Sequence, residues 1–259
     1  MTVNKDIALV LTGTIVPTTR YSKYRDWKVR RLEYLKALNY YSQYGKIYFL
    51  ENSGYDIESD EAFTSIPNVN YRKFPRDEND RHAIGYQEFK MLDDWILNEK
   101  NPPQSWIKLS GRYIIENFPE ILEQVRQTDK NLLMDINVDK KWADTYLFYI
   151  TSNFYKEHFL HKYVYCTPYL CIEEILYKYL LYYRLFREVN FFLSEPIYAV
   201  VSSNGRKSNH GKSPMDRMYR NIWRKINFKI YPSRLVFFPP FYATVHKIRR
   251  AIEIKFMDG

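Results

Sequence analysis

"IALVLTGTIVP", residues 7–17, is an apolar run that breaks at Gly13 into a threonine-containing turn. Unbroken apolarity, in place of alternation, marks a strand buried on both faces. Residues 22–43 follow with Trp27, Tyr34, Leu35, Leu38 and Tyr41 at helical spacing and Lys and Arg between them, up to Gly45. "KIYFLENSGYD" (46–56) is a second strand that runs into a polar turn. Strand, helix and strand at this spacing make a βαβ unit, so the two strands are parallel.

The pattern continues outward from that unit. A third strand is predicted at 69–75, an amphipathic helix at 84–98, and a strand at 106–109 after the break "NPPQ". A helix at 117–127, strands at 131–139 and 143–150, and two aromatic-rich helices over 151–190, separated by "CTPYLC", complete the reading. No repeat and no Gly/Ser-rich linker divides the chain. The expectation is one α/β domain over 1–220, its mostly parallel central sheet flanked by helices, with a basic, aromatic helical extension over 221–259.

The chain has 259 residues, of which 46% are hydrophobic, enough for a packed core. It carries 25 Tyr and 16 Phe, and its formal charge of +9 points to an anionic partner. With two cysteines, Cys166 and Cys171, a disulfide framework is excluded and a reducing cytoplasm is expected. The first residues lack the pattern of a signal peptide, and no 18-residue apolar run exists to span a membrane.

Ligands of open parallel sheets bind beyond the carboxyl ends of the strands. Three strand ends offer small, hydroxylic or hydrogen-bonding groups there: Thr12, Gly13 and Thr14; Glu51, Asn52 and Ser53; Ser110, Gly111 and Arg112. Such groups suit a nucleotide or a sugar. No GxxxxGK[ST], no GxGxxG and no GxSxG occurs, which disfavours P-loop, dinucleotide and nucleophile-elbow chemistry. His158, His161, Cys166 and Cys171 match no standard zinc spacing.

Taken together, "LTGTIVP", "ENSGYD" and "WIKLSGRYIIEN" resemble a family of bacterial surface-polysaccharide glycosyltransferases, which act in capsule and O-antigen synthesis. The similarity runs in order over residues 7–118, with the KxSGRY element its most specific part. It implies a GT-A-like fold, a nucleotide-sugar donor, and a glycan or lipid-linked glycan acceptor. In such enzymes the strand at this place commonly ends in an Asp-x-Asp that holds a divalent metal. Here Ser110-Gly111-Arg112 stands instead, so the expectation is an arginine on the donor phosphates, with no cofactor and no metal. Lys108 shares a strand face with Ser110 and joins the expected donor site.

Glycosyl transfer also requires a carboxylate near the acceptor hydroxyl. The candidates are Asp135, Asp139, Asp144, Glu173, Glu174 and Glu195, with Glu173 preferred and Asp135 second. "SSNGRKSNHGKS" (202–213) is read as a basic loop closing over the donor. In the extension, Val245, Ile248, Ile252 and Phe256 form an apolar stripe on a basic helix, the pattern of a segment lying on an anionic membrane surface. The expected location is therefore the inner face of the cytoplasmic membrane. The competing reading is a basic, aromatic-rich single-stranded nucleic-acid binder. It lacks any RNP, KH or zinc-knuckle signature, and nucleic acid is not the expected partner.

Overall fold

In the computed structural model, β1 spans Ile7–Gly13, and all seven of its residues are buried. Residues 7–17, 22–77, 84–137, 141–183, 185, 188–194, 196–201, 207–210, 218 and 222 are described. β1 lies between β2 (Ile47–Glu51) and β4 (Ser105–Ser110), parallel to both, and β3 (Val69–Lys73) extends the sheet beyond β2. On the other side come β6 (Trp142–Thr151), β5 (Leu132–Asn137) and β7 (Val189–Asn190), giving the order β3-β2-β1-β4-β6-β5-β7. β6 pairs antiparallel with both β4 and β5, so it alone of these seven strands runs against the rest. The mostly parallel α/β sheet is the architecture the sequence implies.

Alternation along the strands divides the core in two. Ile7, Leu9 and Leu11 of β1, with Ile107 and Leu109 of β4, face α1 (Trp27–Ser42) and α4 (Phe118–Gln127). Phe63 of the short α2 (Glu61–Thr64) joins that layer. Ala8 and Val10, with Trp106, face α3 (Ile84–Asn98) and α6 (Ile172–Tyr182). Asp26 caps α1 by accepting from the N–H groups of Lys28 and Val29, which fixes where the predicted helix starts. Trp27 stays largely exposed, and Tyr34, Leu35, Leu38 and Tyr41 carry the packing.

The segment after β6 departs from the two-helix expectation. A helical turn α5 (Ser152–Phe154) widens into a π-helical turn over Tyr155–Phe159, and a 3₁₀ turn covers Lys162–Tyr165; only α6 is a regular helix. The cause lies on α3. Asp93, buried there, accepts from Tyr155 Oη (2.6 Å) and from the His161 N–H (2.6 Å). His161 takes a left-handed φ of 61°, which ends the preceding helical pattern.

Residues 207–210 of the expected cover loop pair as a strand. β8 (Tyr198–Val201) and β9 (Lys207–His210) form an antiparallel hairpin. Residues 202–206 and 211–213, Asp139 and Glu195 lie outside the described residues, as does the extension from 221 apart from Ile222. Among the described residues, no helix is long and apolar enough to cross a membrane.

Candidate functional site

β1, β2 and β4 end at the same edge of the sheet, where Gly13 pairs with Glu51 and Thr12 with Ser110. A cleft of about 200 Å³ opens above these ends. Thr12, Gly13, Thr14, Asn52, Ser110, Gly111 and Arg112 line it, so the structure brings these sequence-predicted residues to one place. Arg30, Arg76, Gln87, Glu88 and Tyr113 line it too.

The glycine beside the arginine answers to backbone geometry. The Gly111 N–H donates to Thr12 O (2.8 Å), and a Cβ on Gly111 would sit 2.6 Å from that same oxygen. Only glycine lets the turn after β4 close against the end of β1. Arg112 is thereby placed against α1, where its Nη1 pairs with Glu33 Oε2 at 2.8 Å and its guanidinium lies 5.1 Å from the Tyr24 ring centre. Burial works against the Arg112 charge, but Tyr34 and Glu33 more than offset it, and its pKa is raised.

Arg30 comes from α1. Its guanidinium donates to the carbonyls of Thr14 and Ile15, and Tyr34, one turn on, accepts from the Thr14 N–H (2.9 Å). Thr14 Oγ1 donates to Asn52 Oδ1 (2.6 Å), joining the turns after β1 and β2. Glu51 has a different place from its neighbour. Fully buried, it accepts from the N–H groups of Ile15 (3.0 Å) and Ser53 (2.9 Å) and from the Ser53 hydroxyl. Glu51 and Ser53 brace the loops and do not line the cleft.

Lys108 sits beneath the cleft and is 0% exposed. Its ammonium contacts Glu88 Oε1 (2.6 Å), Thr145 O (2.6 Å) and Ser110 Oγ (3.1 Å), one acceptor for each donor hydrogen. Glu88 Oε1 also accepts from Thr12 Oγ1. Behind Lys108, Thr145 Oγ1 donates to Glu173 Oε1 (2.8 Å). A continuous polar chain thus runs from Thr12 at the cleft, through Glu88, Lys108 and Thr145, to Glu173.

Glu173 opens α6 and does not itself line the cleft. Burial raises its pKa and the nearby Glu88 charge adds to this, while hydrogen bonds from its own N–H, Thr145 and Cys171 act the other way. α6 reaches this position because Gly85 leaves room for Ile172, which a Cβ there would overlap. Asp135 is buried in β5 at a register irregularity between Met134 and Ile136, and it also stands off the cleft. Among the described residues, no group of three or more His, Cys, Asp or Glu side chains is arranged to hold a metal ion.

Arg30, Arg76, Gln87 and Glu88 were missed by the sequence reading. Arg30 is one of several Lys and Arg between the apolar positions of residues 22–43, and nothing beside it in sequence sets it apart. One signal could have found Gln87 and Glu88: a helix that leads into a parallel strand begins at the carboxyl edge of the sheet, so its first turns face the ligand crevice.

No family model matches the chain, and no curated protein matches it. It is similar to several solved structures. One is the galactosyltransferase LgtC in complex with donor and acceptor sugar analogues, at 9% identity over 71% of this chain and 73% of that one, with a TM-score of 0.43. Another is 4-diphosphocytidyl-2C-methyl-D-erythritol synthase from Anaerococcus prevotii, at 9% identity over 86% of this chain and 97% of that one, with a TM-score of 0.45. A third is the glycosyltransferase GlyE of Streptococcus pneumoniae, at 11% identity over 61% of this chain but 37% of GlyE, with a TM-score of 0.39. The likenesses are distant, and the chemistry of the cleft rests on its own residues.

Proposed function

We propose that this protein is a glycosyltransferase with a GT-A-like frame. It takes a sugar from a nucleotide-sugar donor held in the cleft and passes it to a glycan or lipid-linked glycan of the bacterial surface. The observation that carries this reading is the convergence of Arg30, Arg76 and Arg112 on a cleft to which the strand-end turns contribute small, hydroxylic and amide-bearing groups. Arginines suit phosphate oxygens through their fixed charge and forked donors. Thr14, Asn52 and Ser110 offer neutral partners for the hydroxyls of a ribose or a sugar.

In this reading Arg112 and Arg76 meet the diphosphate, and Arg30 holds the Thr14–Ile15 carbonyls so that the loop keeps its shape. No divalent metal is needed, because the arginines supply the positive charge. The acceptor lies at the inner face of the cytoplasmic membrane, and the chain works there as a peripheral protein. Single-stranded nucleic acid is not favoured: many of the aromatics that suggested it, among them Tyr34, Tyr41, Tyr48, Tyr149 and Tyr155, are packed in the core and offer no stacking platform.

The test is ligand-induced stabilisation. A nucleoside diphosphate should raise the melting temperature, single-stranded nucleic acid should not, and chelator should leave the shift unchanged. Arg112→Ala should weaken nucleoside diphosphate binding by roughly 2 kcal/mol, the scale of a charge-assisted hydrogen bond. Full affinity in that variant would remove Arg112 from the donor site. Loss of activity with chelator, restored by manganese or magnesium, would overturn the metal-free reading.

A further inference from the structure

Glu88 is the one carboxylate lining the cleft among the described residues. Its two oxygens are treated differently. Oε1 is held from behind by Thr12 Oγ1 and by the buried ammonium of Lys108 at 2.6 Å. Oε2 makes no hydrogen bond among the described residues, and the Glu88 side chain, 22% exposed, lines the cleft.

The faces of the sheet decide what lies opposite. Lys108 and Ser110 follow Trp106 at alternate positions, and Thr12 follows Val10, so all three side chains belong to the layer of α3. Two of the three cleft arginines belong to the other side: Arg30 is part of α1, and Arg112 is tied to Glu33 of α1. An anion seated on Arg112 therefore has α3 and Glu88 on its far side.

We propose that Glu88 is the general base of the transfer, with Lys108 as its positioning residue. This rests on the donor reading above. As the acceptor oxygen bonds to the anomeric carbon, its proton passes to Glu88 Oε2. The bond from that carbon to the phosphate oxygen breaks, and its electron pair leaves on the diphosphate, whose charge Arg112 and Arg76 meet. Glu173, reached only through Thr145 and Lys108, stays out of contact with substrate.

Water can replace the acceptor, so the test reads slow hydrolysis of a nucleotide sugar. The sugar carries whichever nucleoside diphosphate most raises the melting temperature. Glu88→Gln should bind that nucleoside diphosphate as the unaltered protein does, while kcat falls about 100-fold or more. Because Gln leaves the Lys108 charge less compensated, the double variant Glu88→Gln, Lys108→Met keeps the buried pair neutral and should be equally slow. Glu173→Gln should lose less than about tenfold, as a group one remove from the reaction. Unchanged kcat in Glu88→Gln with a raised KM would make Glu88 a grip on a sugar hydroxyl and overturn the proposal. So would full turnover in Glu88→Gln together with collapse in Glu173→Gln. If no nucleoside diphosphate binds even the unaltered protein, the donor reading itself fails and takes this assignment with it.

Discussion

At the end of β2, Glu51 is fully buried and receives two backbone N–H groups and a hydroxyl, all from the loops beside it. At the start of α3, Glu88 receives a hydroxyl and an ammonium on one oxygen and lines the cleft. Both acids stand at the same edge of the sheet, and neither differs in type from the other. What separates them is where their partners come from. Backbone donors that surround a carboxylate lock loops together; side chains that hold it from one side aim it.

Four changes would break or sharpen that contrast. The largest effect is expected at Lys108. Lys108→Met removes the buried ammonium from Glu88, Thr145 O and Ser110 and should cost about 3 kcal/mol of stability in a denaturant titration. A loss below about 1 kcal/mol would mean that Glu88 is not aimed from behind.

Next is Asp93, a second acid of α3, closed by Tyr155 and the His161 N–H like Glu51 by its own donors. Burial raises its carboxyl from 3.8 to about 6. A group that holds its proton more tightly when folded contributes stability at pH below about 4, and this is lost as pH rises through about 6. A rise of this size corresponds to about 3 kcal/mol. Thermal unfolding followed from pH 4 to 7 should show this decline, and Asp93→Asn should flatten it.

Glu51→Ala ranks third. It strands the Ile15 and Ser53 N–H groups and should cost about 2 kcal/mol in stability. Nucleoside diphosphate affinity per folded molecule should change less than about threefold, far below the tenfold that 1.4 kcal/mol would give. A larger drop in binding would place Glu51 among the ligand contacts after all. Smallest is Gly111→Ala, whose Cβ collides with Thr12 O and must displace one turn. About 1 to 2 kcal/mol is expected, the usual scale of overpacking, read as a lower melting temperature.

Much of the frame was legible because local pattern and tertiary role agree there. The apolar runs of β1 and β2, and the periodicity of α3, speak for themselves within a dozen residues. Residues 152–165 did not, since their geometry answers to Asp93, which is more than 60 residues away in sequence. The placement of a cleft at the strand ends was likewise readable from topology and turn composition. The orientation of individual charges within it was not: Lys108 reads as a polar interruption of a strand, and nothing near it in sequence names Glu88 or Thr145 as partners. Glu51 and Asn52 are adjacent and equally polar, yet one braces and the other lines. That choice is made by contacts with the turn after β1.

The reversed strand β6 has a consequence for the order in which the molecule can be completed. β1 to β4 can pair among themselves as the chain emerges from the ribosome, but β5 is made before the strand that joins it to the sheet. Until residue 151 is out, β4 keeps an open edge, a template for pairing with other chains. Lys108 also waits: its acceptor at Thr145 belongs to the late strand. A chain truncated after Asn137 should therefore hold four paired strands, remain prone to protease and association, and have no finished floor beneath Glu88.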